Sequence, residues 1–368
     1  MFFSFPFEEQ EINFPSKMKD LCGEELSNEV FKLLKQLHLH LEQEVNFLPK
    51  EAGLNLLEAA PENDKSMSAK QRDAQVEDLW SLTKFFGFNT ETFVLAVNLL
   101  DRFLAKMKVQ PKHLSCIGIC CFNIAARVVE KECNIPSTHD IIRISQCKCT
   151  ISDLTRMEKI ISEKLMFQFK AITALTFLHL YHAVALSHTS ERKEILNLEK
   201  LEAQLKACHC RLVFSKAKVS FISYAFYCCL RYNNDAVHAS FQNNTYYFSL
   251  FVFQPSVLAL SLLTLEIESL KSLDLFEIAQ RVQQYSKIDD KELFYWRELV
   301  SKCLADYSSP ECCKPNLKKL VWIVSRRTAQ NLHSSYYSVP ELPTIPEGAW
   351  DESESEDSCE DMSCEESE

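Results

Sequence analysis

Closely spaced thiols are the first residues in this chain whose types and spacing could do chemistry. Cys147-x-Cys149 and Cys208-x-Cys210 each resemble half of a zinc site, but neither has the two-to-four-residue gap that structural zinc usually takes. His38 and His40 fall on a helical pattern without partner ligands and read as surface histidines, and Cys312-Cys313 supports nothing more specific. The chain has no Gly-rich phosphate loop, no HExxH and no nucleophile elbow. The expectation is a binding protein rather than an enzyme, with no metal and no cofactor. Sixteen cysteines in a long chain with a full apolar core, behind an N-terminus (MFFSFPFEEQ) that lacks a basic signal region, read as free thiols in a reducing compartment.

Charge singles out two further places. Glu158 shares a helical face with Leu154, Ile161 and Leu165, and a carboxylate on an apolar stripe wants a hydrogen-bonded partner. Residues 351–368 hold ten Asp/Glu and no Lys or Arg, so the net charge of -11 leaves about -1 for the body. A near-neutral body lacks the basic face of a phosphate-backbone binder, and no nucleic-acid partner is expected. Ser353, Ser358 and Ser363 each precede an acid by three residues, the context of acid-directed kinases, and are candidate phosphorylation sites. With Pro340, Pro343 and Pro346 upstream, the segment reads as degradation-promoting, or simply as a solubilising acidic tail.

The elements that must position these groups are helices. Five glycines, twelve prolines and 46% hydrophobic residues fit a compact helical protein with short connections. The central stretch is Asn89–Glu132. Phe93, Val97, Leu100, Phe103/Leu104 and Met107 recur at helical spacing, Pro111 opens the next helix, and Leu114, Ile117, Cys121, Ile124 and Val128 form its stripe. Gly118, Ala125 and Ala126 would let a neighbouring helix approach closely. Before this pair, Leu26, Val30, Leu33, Leu37, Leu41 and Val45 predict an N-terminal helix, and Leu48–Arg72 reads as a polar linking loop. Val76, Leu79, Leu82/Thr83 and Phe86 predict a helix capped by Gly87. Thr138–Cys147 makes a short helix, and Thr150 with Asp153 is a capping pair for the one after it. A second set of helices runs from Ala171 to Leu304, and Pro315–Leu332 could form a last one. From His333 onward there is little to bury, and order should fail.

ETFVLAVNLLDRFL followed by AARVVE resembles the cyclin box, and RMEKIISEKL extends the likeness. HLSCIGICCFNIAARVVEKECNIPSTHD with ISQCKCT narrows it to the G-type cyclins, over Met18–Glu368 with one interruption. The resemblance implies an all-α tandem double cyclin fold of two five-helix bundles, with an N-terminal helix and a disordered acidic tail. Its expected parts are a leader over 1–17, helix and loop over 18–70, and a first repeat over 71–168. A second repeat over 169–305, a helical extension over 306–332 and the tail over 333–368 complete it. By motif position the kinase-binding pair of the family corresponds to Arg127 and Glu158, with Arg in place of the more usual Lys. The resemblance further implies a cell-cycle adaptor with a growth-restraining role. Its implied partners are a cyclin-dependent kinase, bound weakly or atypically, and a B′-type regulatory subunit of a serine/threonine phosphatase. A cytoplasmic location, with the nucleus second, goes with this. The rival reading is a cyclin-fold transcription factor gripping DNA and polymerase machinery.

Two departures from the family pattern stand out. Many cell-cycle cyclins dock Arg-x-Leu substrates through M-R-x-I-L-x-x-W. Here the matching stretch is QRDAQVED: Gln71, Ala74, Gln75 and Asp78 stand at the apolar anchor positions and only Arg72 is kept. An aspartate where an indole should stack predicts that this docking is lost. The second departure is Val219–Gln254, in which Arg231 and Asp235 are the only Lys, Arg, Asp or Glu among 36 residues, eleven of them Phe or Tyr. It contains no unbroken apolar run of membrane-spanning length, and no membrane partner is expected. Removing it joins Lys218 to Pro255, restoring a continuous run between two helices. It opens with Val, whose codons begin GT, and ends with Gln, one of whose codons ends AG, as a retained in-frame intron would; the alternative is a genuine surface loop, since long insertions cost little in closure entropy.

Overall fold

The computed structural model describes residues 28–59, 67–187, 196–215, 218–219, 251–252 and 254–309. Helix α1 spans Asn28–Gln43 and runs into a 3-10 turn at Glu44–Phe47; α2 spans Glu51–Ala59. The first repeat contains α3 (Ala69–Phe86), α4 (Thr90–Leu104), α5 (Pro111–Val129), α6 (Thr138–Ser145) and α7 (Ile151–Lys164). The second contains α8 (Ala174–Ser187), α9 (Leu198–His209), α10 (Pro255–Leu270), α11 (Leu273–Tyr285) and α12 (Asp290–Ser308). The tandem all-α fold expected from the resemblance is present. It carries one small addition, an antiparallel pair of two-residue strands, β1 (Lys218–Val219) and β2 (Phe251–Val252).

Each repeat is built around a helix buried on nearly all sides. In the first, α4 and α5 pack together, with α3 and α7 against α5. Helix α5 is long and apolar enough to cross a membrane by composition, yet its place is the middle of the bundle. In the second, α10 lies between α8 and α12, with Val257, Leu258, Leu260 and Leu262 fully buried. Local chemistry sets the ends. Pro111 and Pro255 each occupy a first turn, where the missing N–H costs nothing. Gly87 closes α3 in the left-handed region (φ 66°), as expected from its position. Thr150 and Asp153 form the capping box expected of α7.

Several expectations need correction. The predicted loop over 48–72 contains α2 and the first residues of α3. Leu54 and Leu57 are buried, and Gly53 lies so close to α4 that a Cβ there would sit 2.0 Å from the Ala105 carbonyl oxygen. In α1 the fully buried positions are Leu34 and Leu37, while Val45 is exposed, because α1 turns its face to α8 and ends before Val45. Val128 is also exposed, at the last turn of α5 where the bundle no longer covers it. The close approach expected at Gly118 is real: a Cβ there would meet the Gln75 side chain at 2.8 Å. The leader, the bulk of 219–254, Pro315–Leu332 and the tail lie outside the described residues.

Candidate functional site

The C-terminal turn of α5 and the middle of α7 bring together the two residues singled out by motif position. Arg127 donates from Nη2 to Glu158 Oε1 across the gap between the helices, and its Nε reaches back to the Asn123 carbonyl oxygen at 3.5 Å. Glu158 thus has the partner that a carboxylate beside an apolar stripe requires. Neither side chain is sealed in: 46% of Arg127 and 29% of Glu158 remain exposed. The pair lies in a groove of about 590 Å³ lined also by Asn123, Ile135, Pro136, Thr155, Lys159 and Phe167.

The groove has an unusual rim. After α7, Met166 and Phe167 both take left-handed backbone conformations (φ 54° and 56°) and expose about two thirds of their side chains. That conformation is costly for bulky L-residues, so something must impose it. Lys106 Nζ donates to the Lys164 carbonyl oxygen at 3.0 Å and Arg102 Nη1 to the Gln168 carbonyl oxygen at 2.9 Å. Two cations from the end of α4 and just beyond thereby hold the last turn of α7 and its sequel. Cations belong at a helix C-terminus, where the unpaired carbonyls gather. The result is an apolar edge beside an exposed ion pair, an arrangement that can recognise a complementary protein surface.

The five residues of the substituted docking stretch divide. Gln71 is the third residue of α3 and completes a capping box with Ser68. Gln71, Ala74 and Asp78 are exposed, so the open face of the helix presents an amide, a methyl and a carboxylate. Gln75 turns inward against Gly118. Arg72 is fully buried. Its Nε and Nη2 form a two-point contact with Asp101 at 2.9 and 2.6 Å, and the remaining donors reach Asp73, Ser215 Oγ and the His209 carbonyl oxygen at 2.8 Å. Burial opposes the Arg72 charge, but the carboxylates of Asp101 and Asp73 more than offset it and hold the guanidinium ionised. Arg72 therefore joins α3 and α4 of the first repeat to the end of α9 in the second. Sequence reading missed Asp101, although an Asp-Arg pair within an otherwise apolar helix already requires buried partners.

His38 pairs with Glu42 on the surface of α1 at 3.3 Å. Among the described residues no group of three or more His, Cys, Asp or Glu is arranged to hold a metal ion. Ser353, Ser358 and Ser363 lie outside the described residues.

Comparison with known proteins adds identity to this geometry. Residues 36–170 match the family model of the cyclin N-terminal domain. Cyclin-G2 of Homo sapiens is 65% identical over 349 residues, covering 94% of this chain and 91% of that protein. Cyclin-G1 of Bos taurus is 51% identical over 317 residues, covering 86% and 95%. Among solved structures, a viral cyclin from herpesvirus saimiri aligns with a TM-score of 0.48 and 19% identity, over 75% of this chain and 99% of that one. With identity of that extent over nearly its whole length, this chain belongs to the cyclin family, among the G-type cyclins, and is a cyclin-type regulatory protein of the cell cycle.

Proposed function

We propose that the chain is a non-catalytic adaptor whose α5–α7 groove docks a cyclin-dependent kinase weakly or atypically. The observation that carries this reading is the Arg127–Glu158 pair, half open in a groove lined also by the exposed Phe167, with exposed Met166 next to it in the chain. An ion pair this exposed contributes little to stability, which leaves its position in the groove unexplained by folding alone. Here the guanidinium keeps exposed surface for a partner's acceptors, and its planar fork suits a bidentate acceptor better than a lysine would. The open face of α3 offers no large apolar anchor at Gln71, Ala74 or Asp78, which supports a partner choice without Arg-x-Leu docking. A B′-type phosphatase regulatory subunit is the second proposed partner, and growth restraint is the proposed outcome. Both rest on the likeness to G-type cyclins, as does the proposed cytoplasmic and nuclear location.

The test is a charge exchange. Arg127→Glu combined with Glu158→Arg keeps an ion pair within the groove but reverses the charges it presents. Kinase co-purification from cells is expected to be lost while the helical circular dichroism stays unchanged. Recovery of kinase at the native level with the fold intact would sink the groove as the docking site.

A further inference from the structure

Nine cysteines of the described residues are free, and two of them meet across helices in an asymmetric setting. Cys208, on α9, is fully buried; Cys303, on α12, is only half-buried. The helices pack side by side, the two thiols are in hydrogen-bond contact, and Cys303 Sγ lies 4.0 Å from the carbonyl oxygen of Ala207, next to Cys208. We infer that Cys303 is an oxidant-sensitive modification site, reacting with a peroxide and then forming a disulfide with Cys208 that staples α9 to α12.

The asymmetry assigns the roles. The Cys208 thiol donates to Cys303, and the Arg211 guanidinium lies nearby, so the Cys303 thiol is held below its ordinary range despite partial burial. Asp306 and Asp73 pull the other way without reversing that direction. Cys208, sealed from water, is pushed well above the thiol range by burial and is poorly placed to meet an oxidant first. A second group of touching thiols, Cys116, Cys147 and Cys149, lacks this activation, since burial raises all three. The step balances. Cys303 thiolate attacks one peroxide oxygen, the O–O bond breaks, and the released hydroxide takes a proton to become water. Cys208 then attacks the sulfenic sulfur, the S–O bond breaks as the S–S bond forms, and the Cys208 proton leaves with the oxygen as a second water. Two thiols lose two electrons and one peroxide gains them. Such a bridge would be transient in a reducing compartment, where thiol pairs of this kind serve as sensors.

The full-length chain, reduced and moved into thiol-free buffer, would be treated with hydrogen peroxide, blocked with N-ethylmaleimide and digested without reductant. The expected first product is a peptide pair joining Cys208 to Cys303, lost on adding dithiothreitol. In Cys208→Ser, Cys303 should accumulate as a dimedone-reactive sulfenic acid; in Cys303→Ser, Cys208 should stay a free thiol. The wild-type map needs no substitution, so a variant that fails to fold leaves the test standing. The proposal is overturned if Cys303 stays reduced while the exposed Cys133 oxidises. It is equally overturned if Cys303 links first to Cys312 or Cys313, or if the first disulfide forms among Cys116, Cys147 and Cys149.

Discussion

The first repeat contains two arginine–carboxylate pairs that look alike on paper and live in opposite surroundings. Arg72 and Asp101 are 0% and 1% exposed and meet at two points, and Arg72 donates further to acceptors on the second repeat. Arg127 and Glu158 are 46% and 29% exposed and meet at one point in an open groove. Removing one partner of a buried pair strands a charge with no water to receive it, whereas an exposed charge is simply rehydrated. The sealed pair fastens the repeats, and the open pair keeps the exposed surface that the proposed docking would use.

The largest effect should come from breaking the sealed pair. Asp101→Asn is expected to cost about 3–5 kcal/mol in denaturant unfolding, because the buried Arg72 keeps its charge and loses its two-point counter-ion, leaving only the Asp73 contact. Replacing both, as Arg72→Met with Asp101→Leu, should recover much of that loss. A single-variant cost below about 1 kcal/mol would put Arg72 in the same class as Arg127 and remove the contrast.

A buried carboxylate with no cation against it among the described residues sharpens the comparison at intermediate size. Glu44 is 1% exposed and accepts from the backbone N–H and the hydroxyl of Ser256, at 3.0 and 2.9 Å, in the first turn of α10. Burial, aided by the charge of Glu292, pushes its carboxyl from 4.5 up to about 7, although the Ser256 donors act against this. Its folded value lies above its unfolded one, so its contribution to stability is complete below about pH 4.5 and is lost as pH rises through about 7. The difference in unfolding free energy between wild type and Glu44→Gln should therefore change by on the order of 2 kcal/mol between pH 5 and pH 8. A pH-independent difference would show that Glu44 is not held in this way.

The smallest effect is expected at the open pair. Arg127→Ala or Glu158→Ala should change stability by less than about 1 kcal/mol, even where kinase recovery is abolished. A cost near that of Asp101→Asn would make the groove pair a structural fastening and weaken its reading as a docking site.

The parts of this molecule legible in the sequence are those governed by local rules. The stripe of α4, the prolines that start α5 and α10, Gly87 and the Thr150–Asp153 cap all depend on residues within a few positions of one another. Arg127 and Glu158 were found by motif, and their meeting needed only that α5 and α7 be neighbours. Arg72 was harder: at the sequence level it belongs to a surface motif, and only its contacts with Ser215 and the His209 carbonyl, more than a hundred residues away, turn it inward. Helix α2 was hidden for a related reason. Its two buried leucines are too few to announce a period, and what fixes the segment is the fit of Gly53 against Ala105. Cys208 and Cys303 likewise lie 95 residues apart and share no motif.

The small strand pair has a consequence for how this chain tolerates change. Lys218 stands opposite Val252 and Val219 opposite Phe251, so the polypeptide leaves the helical body and re-enters it through one doorway about 5 Å wide. For a chain that leaves and returns at the spacing of one strand pair, each doubling of the intervening length costs roughly 0.6 kcal/mol in closure entropy. By closure entropy alone, a change of length at this point costs the scaffold little, so a form joining Lys218 directly to Pro255 is expected to keep both repeats folded, which thermal unfolding would check.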